Sequence, residues 1–195
     1  DTGLANAVKK AFVDLYDKKL IFRADKMINW CTHDGALSDI EVQHEENAGK
    51  LYYLRYFLKD SDEFVVVATT RPETYFGDTA VMINPQDERY KHLLGKKVLL
   101  PLVNKELAII ADEYVDMSFG TGVVKVTPAH DSNDYEVGLR HDLEFLTIFD
   151  EKGILNEHCL EFKGLERLEA REKIVARLQE KGYVEKIEDY TNQVG

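Results

Sequence analysis

The sequence predicts an α+β domain built round a curved, barrel-like β-sheet with a few flanking helices. Three observations carry that prediction. Many short apolar runs, rich in Val, Ile, Tyr and Phe, are separated by Gly, Pro, Asn and Asp. One long stretch, Leu165–Lys181, is amphipathic with helical spacing and stops at a glycine, Gly182. Between them lies Phe119–Gly138, where a short apolar strand runs into a capped helix. Short strands with two or three helices fit a curved sheet or barrel better than a doubly wound fold.

Taken in order, Ala5–Lys18 reads as an amphipathic helix, with Val8, Phe12, Leu15 and Tyr16 recurring at helical spacing. Leu20–Ile28 reads as extended, Trp30–Asp39 as a turn-rich connector, and Glu41–Glu46 as a solvated edge strand. Lys50–Leu58 and the apolar run Phe64–Thr69 are strands joined by a turn at Asp60–Asp62. Pro72 suits the first turn of a short helix, Gly77-Asp78 turns the chain, and Thr79–Ile83 is a strand stopped by Asn84-Pro85. Asp87–Leu94 reads as a short helix; Val98–Val103 and Leu107–Ala111 form a hairpin turning at Asn104-Lys105. After the helix Ser132–His141 come a strand, Phe145–Phe149, and a hairpin-type turn, Asp150–Gly153. Leu168, Ile174, Val175 and Leu178 mark the inner face of the last helix, and Tyr183–Ile187 is a final strand.

The totals exclude several classes. The chain has 195 residues, 44% of them apolar, enough for one packed domain with an appendage. A net charge of −11 argues against an autonomous nucleic-acid binder, though not against docking one nucleic-acid end in a local pocket. No apolar run approaches the roughly 20 residues that span a bilayer, and no secretory signal is visible. Two cysteines, Cys31 and Cys159, are too few for a disulfide framework and fit a reducing, cytoplasmic home. Cys31-Thr32-His33 lacks the second ligand pair that structural zinc needs, so no metal is expected.

Within the central junction, Lys125 and Thr127 alternate along one strand and so share a face. Pro128 ends that strand; Asp131 stands where a helix N-cap belongs, with Asp134 at N3. On spacing alone the two carboxylates read first as a cap, and Lys125 as an edge-strand lysine that discourages aggregation. Together the groups can also hold a small ligand bearing an ammonium and a hydroxyl. Thr69, Thr70 and Thr74 offer hydrogen bonds, and Arg71 suits a phosphate or carboxylate or a pairing with Glu73. His130 adjoins Asp131, but no Gly-x-Ser-x-Gly elbow, phosphate-binding loop or dinucleotide fingerprint is present.

Two long strings then narrow the reading. Ala68-Thr-Thr-Arg-Pro-Glu-Thr-Tyr-Phe-Gly-Asp-Thr-Ala-Val81, continuing to Asn84-Pro-Gln-Asp-Glu-Arg-Tyr90, resembles the threonine-rich region of class I aminoacyl-tRNA synthetase editing domains. Gly120-Thr-Gly-Val-Val-Lys-Val-Thr-Pro-Ala-His-Asp-Ser-Asn-Asp-Tyr135 resembles the second half of the same site. Lys125 and Thr127, with Gly77-Asp78-Thr79, favour the valyl branch over the isoleucyl and leucyl ones. Related enzymes often carry Cys-Pro-x-Cys after an Asn-Trp pair, and Cys31-Thr32-His33-Asp34 departs from it.

The resemblance implies an editing domain over residues 41–195 and, over residues 1–40, a helix and connector towards a synthetic core. It implies proofreading: hydrolysis of threonine from mischarged tRNA(Val), and of threonyl-adenylate, in the service of translation fidelity. Asp134 would hold the α-ammonium; Lys125, Thr127 and Asp131 would read the side-chain hydroxyl, with Phe119 as a wall. Thr69, Thr70, Arg71 and Thr74 would hold the acceptor-end adenosine and ester, with His130 beside them. The ATP-binding signatures His-Ile-Gly-His and Lys-Met-Ser-Lys-Ser are absent, so no cofactor is expected for editing, with ATP used only by the synthetic core. The implied partners are the tRNA(Val) acceptor end and that core, with no membrane. The main alternative is an acceptor-end binding module without turnover; an unrelated small-molecule hydrolase on the same fold is the third.

Overall fold

A computed structural model describes residues 1–24 and 26–194. A helix α1 (Thr2–Asp17), capped by the Asp1 carboxylate, precedes a hairpin of β1 (Asn29–Cys31) and β2 (Gly35–Leu37). The strands that follow are β3 (Glu45–Leu58), β4 (Phe64–Thr69), β5 (Ala80–Ile83), β6 (Lys97–Leu99), β7 (Glu106–Ala111), β8 (Val123–Val126) and, near the C-terminal end, β9 (Val184–Val194). These seven form one sheet in the order β4-β3-β6-β7-β5-β8, with β9 also paired to β3. Among the described residues only β5 and β7 pair in parallel. The two ends of the path approach each other, where Thr121 Oγ1 donates to the Val66 carbonyl at 2.6 Å. The sheet is therefore a nearly closed barrel, as the pattern of short strands predicts.

β5 is buried on both faces. Val81 and Ile83 enter the main core with Leu54, Tyr56, Val67, Tyr75 and Phe76. Ala80 and Met82 face the other way, packing with Val126 and Val137. Val137 belongs to α2 (Ser132–Arg140), which covers that outer layer. Gly138 brings α2 close to the strand end, since a Cβ there would lie 2.8 Å from that of Pro128. The last helix, α3 (Arg167–Glu180), buries Ala170, Ile174 and Leu178 at i, i+4 and i+8. Gly182, at φ +76, ends it as expected.

Several expected elements come out differently. Leu168 is 49% exposed, because it precedes the buried stripe of α3. Phe145–Phe149 is no strand: Phe149 makes one bridge to Leu155, while the Ile148 N–H is taken by His130 Nε2. Asp87–Leu94 is turns with a 3₁₀ segment at Lys91–Leu93, because the Asp87 carboxylate binds the Arg89 N–H locally in competition with a helix. Trp30–Asp39 overlaps the β1–β2 hairpin, which starts at Asn29 and is anchored by the Trp30 indole to the Glu151 carbonyl at 2.8 Å. Of Glu41–Glu46, only Glu45 and Glu46 join β3; Glu41 turns back to accept from Ser38 N and Oγ. Pro101 and two positive-φ residues, Leu102 and Asn104, cut β6 short of Val103. The extended stretch expected at Leu20–Ile28 includes residue 25, outside the described residues; its described residues form no regular element.

Candidate active site

β4 delivers Thr69 to the mouth of the barrel, and the chain then makes a 3₁₀ turn over Pro72–Gly77. Thr69 Oγ1 accepts from Arg71 N at 3.1 Å, and Thr74 Oγ1 donates to the Arg71 carbonyl at 2.9 Å. Thr70 is half-buried beside them. Glu73, fully buried, receives a two-pronged ion pair from Arg171 of α3, at 2.7 and 2.8 Å. Arg71 Nε stands 3.8 Å from the same carboxylate, and Arg71 Nη1 donates to the His130 carbonyl at 2.8 Å.

β8 brings Lys125 and Thr127 in beneath this turn. Lys125 is 8% exposed and Thr127 1%, so Lys125 is no solvent-facing edge lysine. Both converge on Asp78, which is fully buried. Lys125 Nζ donates to Asp78 Oδ1 at 2.9 Å and Thr127 Oγ1 donates to the same oxygen at 2.6 Å. Lys125 also donates to Thr127 Oγ1 and, at 3.3 Å, to Thr74 Oγ1. The Tyr56 hydroxyl donates to Asp78 Oδ2 at 2.7 Å. Burial raises the Asp78 pKa against these three donors, and burial with the Asp78 charge raises Tyr56 far above its ordinary range.

Asp131 caps α2 as expected, its Oδ1 accepting from Asn133 N at 2.9 Å and Asp134 N at 3.1 Å. Asp134, at N3, is 8% exposed and turns its Oδ2 to the Thr127 N–H at 2.8 Å. Burial pushes its pKa up to about 6, with Lys125 opposing and the charges of Asp131 and Asp78 adding to the rise. The site thus sets an exposed carboxylate and a buried one of raised pKa beside a buried lysine.

His130 faces inward. Its ring accepts from Ile148 N at 3.0 Å, and burial followed by the charges of Arg71 and Lys125 lowers its pKa to about 4. The neutral ring supports the Arg71-binding carbonyl rather than facing out. Phe119 is 60% exposed, on a loop held by Arg89 (Nη2 to the Met117 carbonyl, 2.8 Å) and Tyr90 (hydroxyl to the Thr121 carbonyl, 3.0 Å). Gly122 is obligatory there: φ is +76, and a Cβ would meet Arg89 Nη2 at 2.5 Å.

Asp78, Tyr56 and the Glu73–Arg171 pair are absent from the sequence-derived site. One signal pointed to Asp78: a lysine inside an apolar strand requires a buried counter-charge. Two open surface hollows, beside Tyr183 and beside Tyr190, lie away from this cluster. Among the described residues no three His, Cys, Asp or Glu side chains converge as metal ligands would.

Residues 1–192 match the family model described as tRNA synthetases class I (I, L, M and V). The chain belongs to that family. Along its whole length this synthetase chain is 73% identical to the valine–tRNA ligase of Campylobacter jejuni (strain RM1221), of which it covers 22%. It is 68% identical to that of Wolinella succinogenes and 57% identical to that of Thermotoga maritima, again over 100% of the chain, covering 22% and 23% of those proteins. The chain therefore spans about a fifth of the length of these relatives. Among solved structures it resembles the agnB2 LeuRS of Agrobacterium radiobacter K84, crystallised as a ternary LeuRS–tRNA–LeuAMS complex, with a TM-score of 0.52 and 21% identity. That match covers 94% of this chain and 31% of the other, and supports the synthetase fold. Of the residues that favour the valyl branch, Asp78, Lys125 and Thr127 meet in one buried cluster of the synthetase chain. No helix among the described residues is long and apolar enough to cross a membrane.

Proposed function

We propose that this synthetase segment proofreads: it hydrolyses the ester of tRNA(Val) mischarged with threonine and spares the valyl ester. A hydrophobic synthetic pocket rejects poorly an isostere that merely adds a hydroxyl, and valyl-tRNA synthetases facing threonine are the standard illustration of that difficulty. A second pocket must reward the hydroxyl. The observation that carries this reading is the buried Asp78–Lys125–Thr127 cluster, joined through the Thr127 N–H to Asp134 and next to the exposed Asp131.

Asp134 then receives the α-ammonium. Lys125, Thr127 and Asp131 form the side-chain end of the pocket, where a valyl methyl makes none of the hydrogen bonds that a threonyl hydroxyl makes, a difference of about 0.5–1.5 kcal/mol per bond. Thr69, Thr70, Arg71 and Thr74 hold the acceptor-end adenosine and ester, with Phe119 as a wall. Water attacks the ester carbonyl carbon, forming the acid, and the terminal ribose hydroxyl leaves. Positioning and fixed charge do the work, with no cofactor. Residues 1–40 lead towards the synthetic core, which supplies most phosphate contacts; the net charge of −11 agrees with weak tRNA binding by the segment alone.

The test is deacylation of threonyl-tRNA(Val) against valyl-tRNA(Val) by the full-length synthetase carrying this segment. Threonyl ester disappears faster, and Asp134→Asn slows that loss about 10–100-fold through a weakened charge-assisted contact. Loss of both esters only at the uncatalysed rate, with the unaltered enzyme at saturating concentration, would overturn the proposal and favour a binding module.

A further inference from the structure

The side-chain end of the pocket is organised by a group that no substrate can reach. We propose that Asp78 is a positioning residue that sets the preference for threonine over valine, by fixing which way each hydrogen bond around Lys125 and Thr127 points. The inference rests on the proofreading reading above.

A carboxylate accepts only, a hydroxyl gives one hydrogen, and an ammonium gives three. Thr127 spends its hydrogen on Asp78 Oδ1, at 2.6 Å, so it faces any ligand as an acceptor only. Lys125 spends one N–H on the same oxygen at 2.9 Å and one on Thr127 Oγ1. Its third N–H has the weakest partner, Thr74 Oγ1 at 3.3 Å. Thr74 is held independently by its own bond to the Arg71 carbonyl at 2.9 Å, so that N–H can turn to a ligand at small cost. Asp78 cannot rotate to undo this, because Tyr56 holds Oδ2 at 2.7 Å. One donor and one acceptor remain, which is the complement of a single aliphatic hydroxyl. Asp78 itself is fully buried, so it acts on a ligand through Lys125 and Thr127.

Replacing Asp78 by asparagine keeps the size and reverses the polarity. The amide oxygen is required by Tyr56, which turns the amide N–H₂ against Lys125 and frees the Thr127 hydrogen to point outward. Threonyl hydrolysis by the full-length D78N synthetase should fall about 100-fold, as for a misplacement of about 1 Å, with valyl hydrolysis changing far less. The threonyl-to-valyl ratio of kcat/KM is the deciding readout. A purely structural loss lowers both activities together and leaves the ratio intact.

Tyr56→Phe serves as a second variant should D78N fail to fold by circular dichroism. It removes the clamp without changing charge, and the ratio should fall by up to about tenfold, the worth of roughly one hydrogen bond. A folded D78N or, in its absence, a folded Y56F that keeps the unaltered ratio overturns the inference. An unaltered enzyme that shows no threonyl preference overturns the function proposed above instead.

Discussion

Asp134 and His130 are neighbours in the chain whose buried groups answer pH in opposite directions. His130 holds its proton only below about 4, against an ordinary 6.5, so its contribution is full above 6.5 and is lost as pH falls towards 4. Asp134 holds its proton up to about 6, against an ordinary 3.8, so its contribution is full below 3.8 and is lost as pH rises through 6. Over the shared window the two oppose each other. Asp134→Asn removes one side of that balance while its amide oxygen can still accept from Thr127 N. The variant should be more stable than the unaltered chain at neutral pH, by at most roughly 2–3 kcal/mol, with the gap closing near pH 4. Urea midpoints measured across that range decide it; a gap independent of pH would mean that Asp134 is not held protonated by burial. The same ionisation is what an ammonium ligand needs, so threonyl hydrolysis should rise through pH about 6 as the Asp134 contribution to stability is lost, a trade common at functional sites. At this scale the sequence was informative about roles set by local spacing. Asp131 as cap and the shared face of Lys125 and Thr127 follow from spacing. Asp78 does not, because Gly77-Asp78 has the composition of a turn and its partners come from β3 and β8, distant in sequence.

Among the elements, α3 does more than cover the barrel. Its Arg171 reaches the threonine-rich turn and neutralises Glu73, which also lies near Arg71. Removing one partner of such a pair leaves a buried charge, so Arg171→Met should cost about 3–5 kcal/mol in denaturant unfolding. Adding Glu73→Leu should return much of that loss, giving a coupling above about 1 kcal/mol in the double-mutant cycle. Additive losses would show that the pair contributes only packing. The element boundaries that sequence reasoning placed well, α2 and α3, carry their own signals in a capping carboxylate or a terminal glycine. Phe145–Phe149 misled because its apolar pattern suits a strand, while its N–H partner is a histidine ring brought from before α2. Asp87–Leu94 misled because a side chain competes with the helix for the backbone.

Across the whole molecule, the α+β class, the barrel-like sheet and the family were legible, but the order of its strands was not. Short strands announce a curved sheet; the order in which they pair depends on contacts far apart in sequence, such as Thr121 with Val66. Helix α1 shows the opposite limit. Its periodicity is that of an amphipathic helix, yet none of its residues is buried, and Leu4, Val8, Phe12 and Tyr16 form an exposed apolar stripe. Local signals establish the helix but contain nothing about what covers it. If α1 stands outside the cooperative unit, deleting residues 1–20 should shift the unfolding free energy of the isolated segment by less than about 0.5 kcal/mol, as for surface changes. In sedimentation velocity the intact segment should self-associate with rising concentration and the deleted one should not, since an apolar stripe of this kind is the most adhesive surface on the helix. A large drop in the urea midpoint would instead mean that α1 packs against the barrel in solution, and would place the helix within the folding unit.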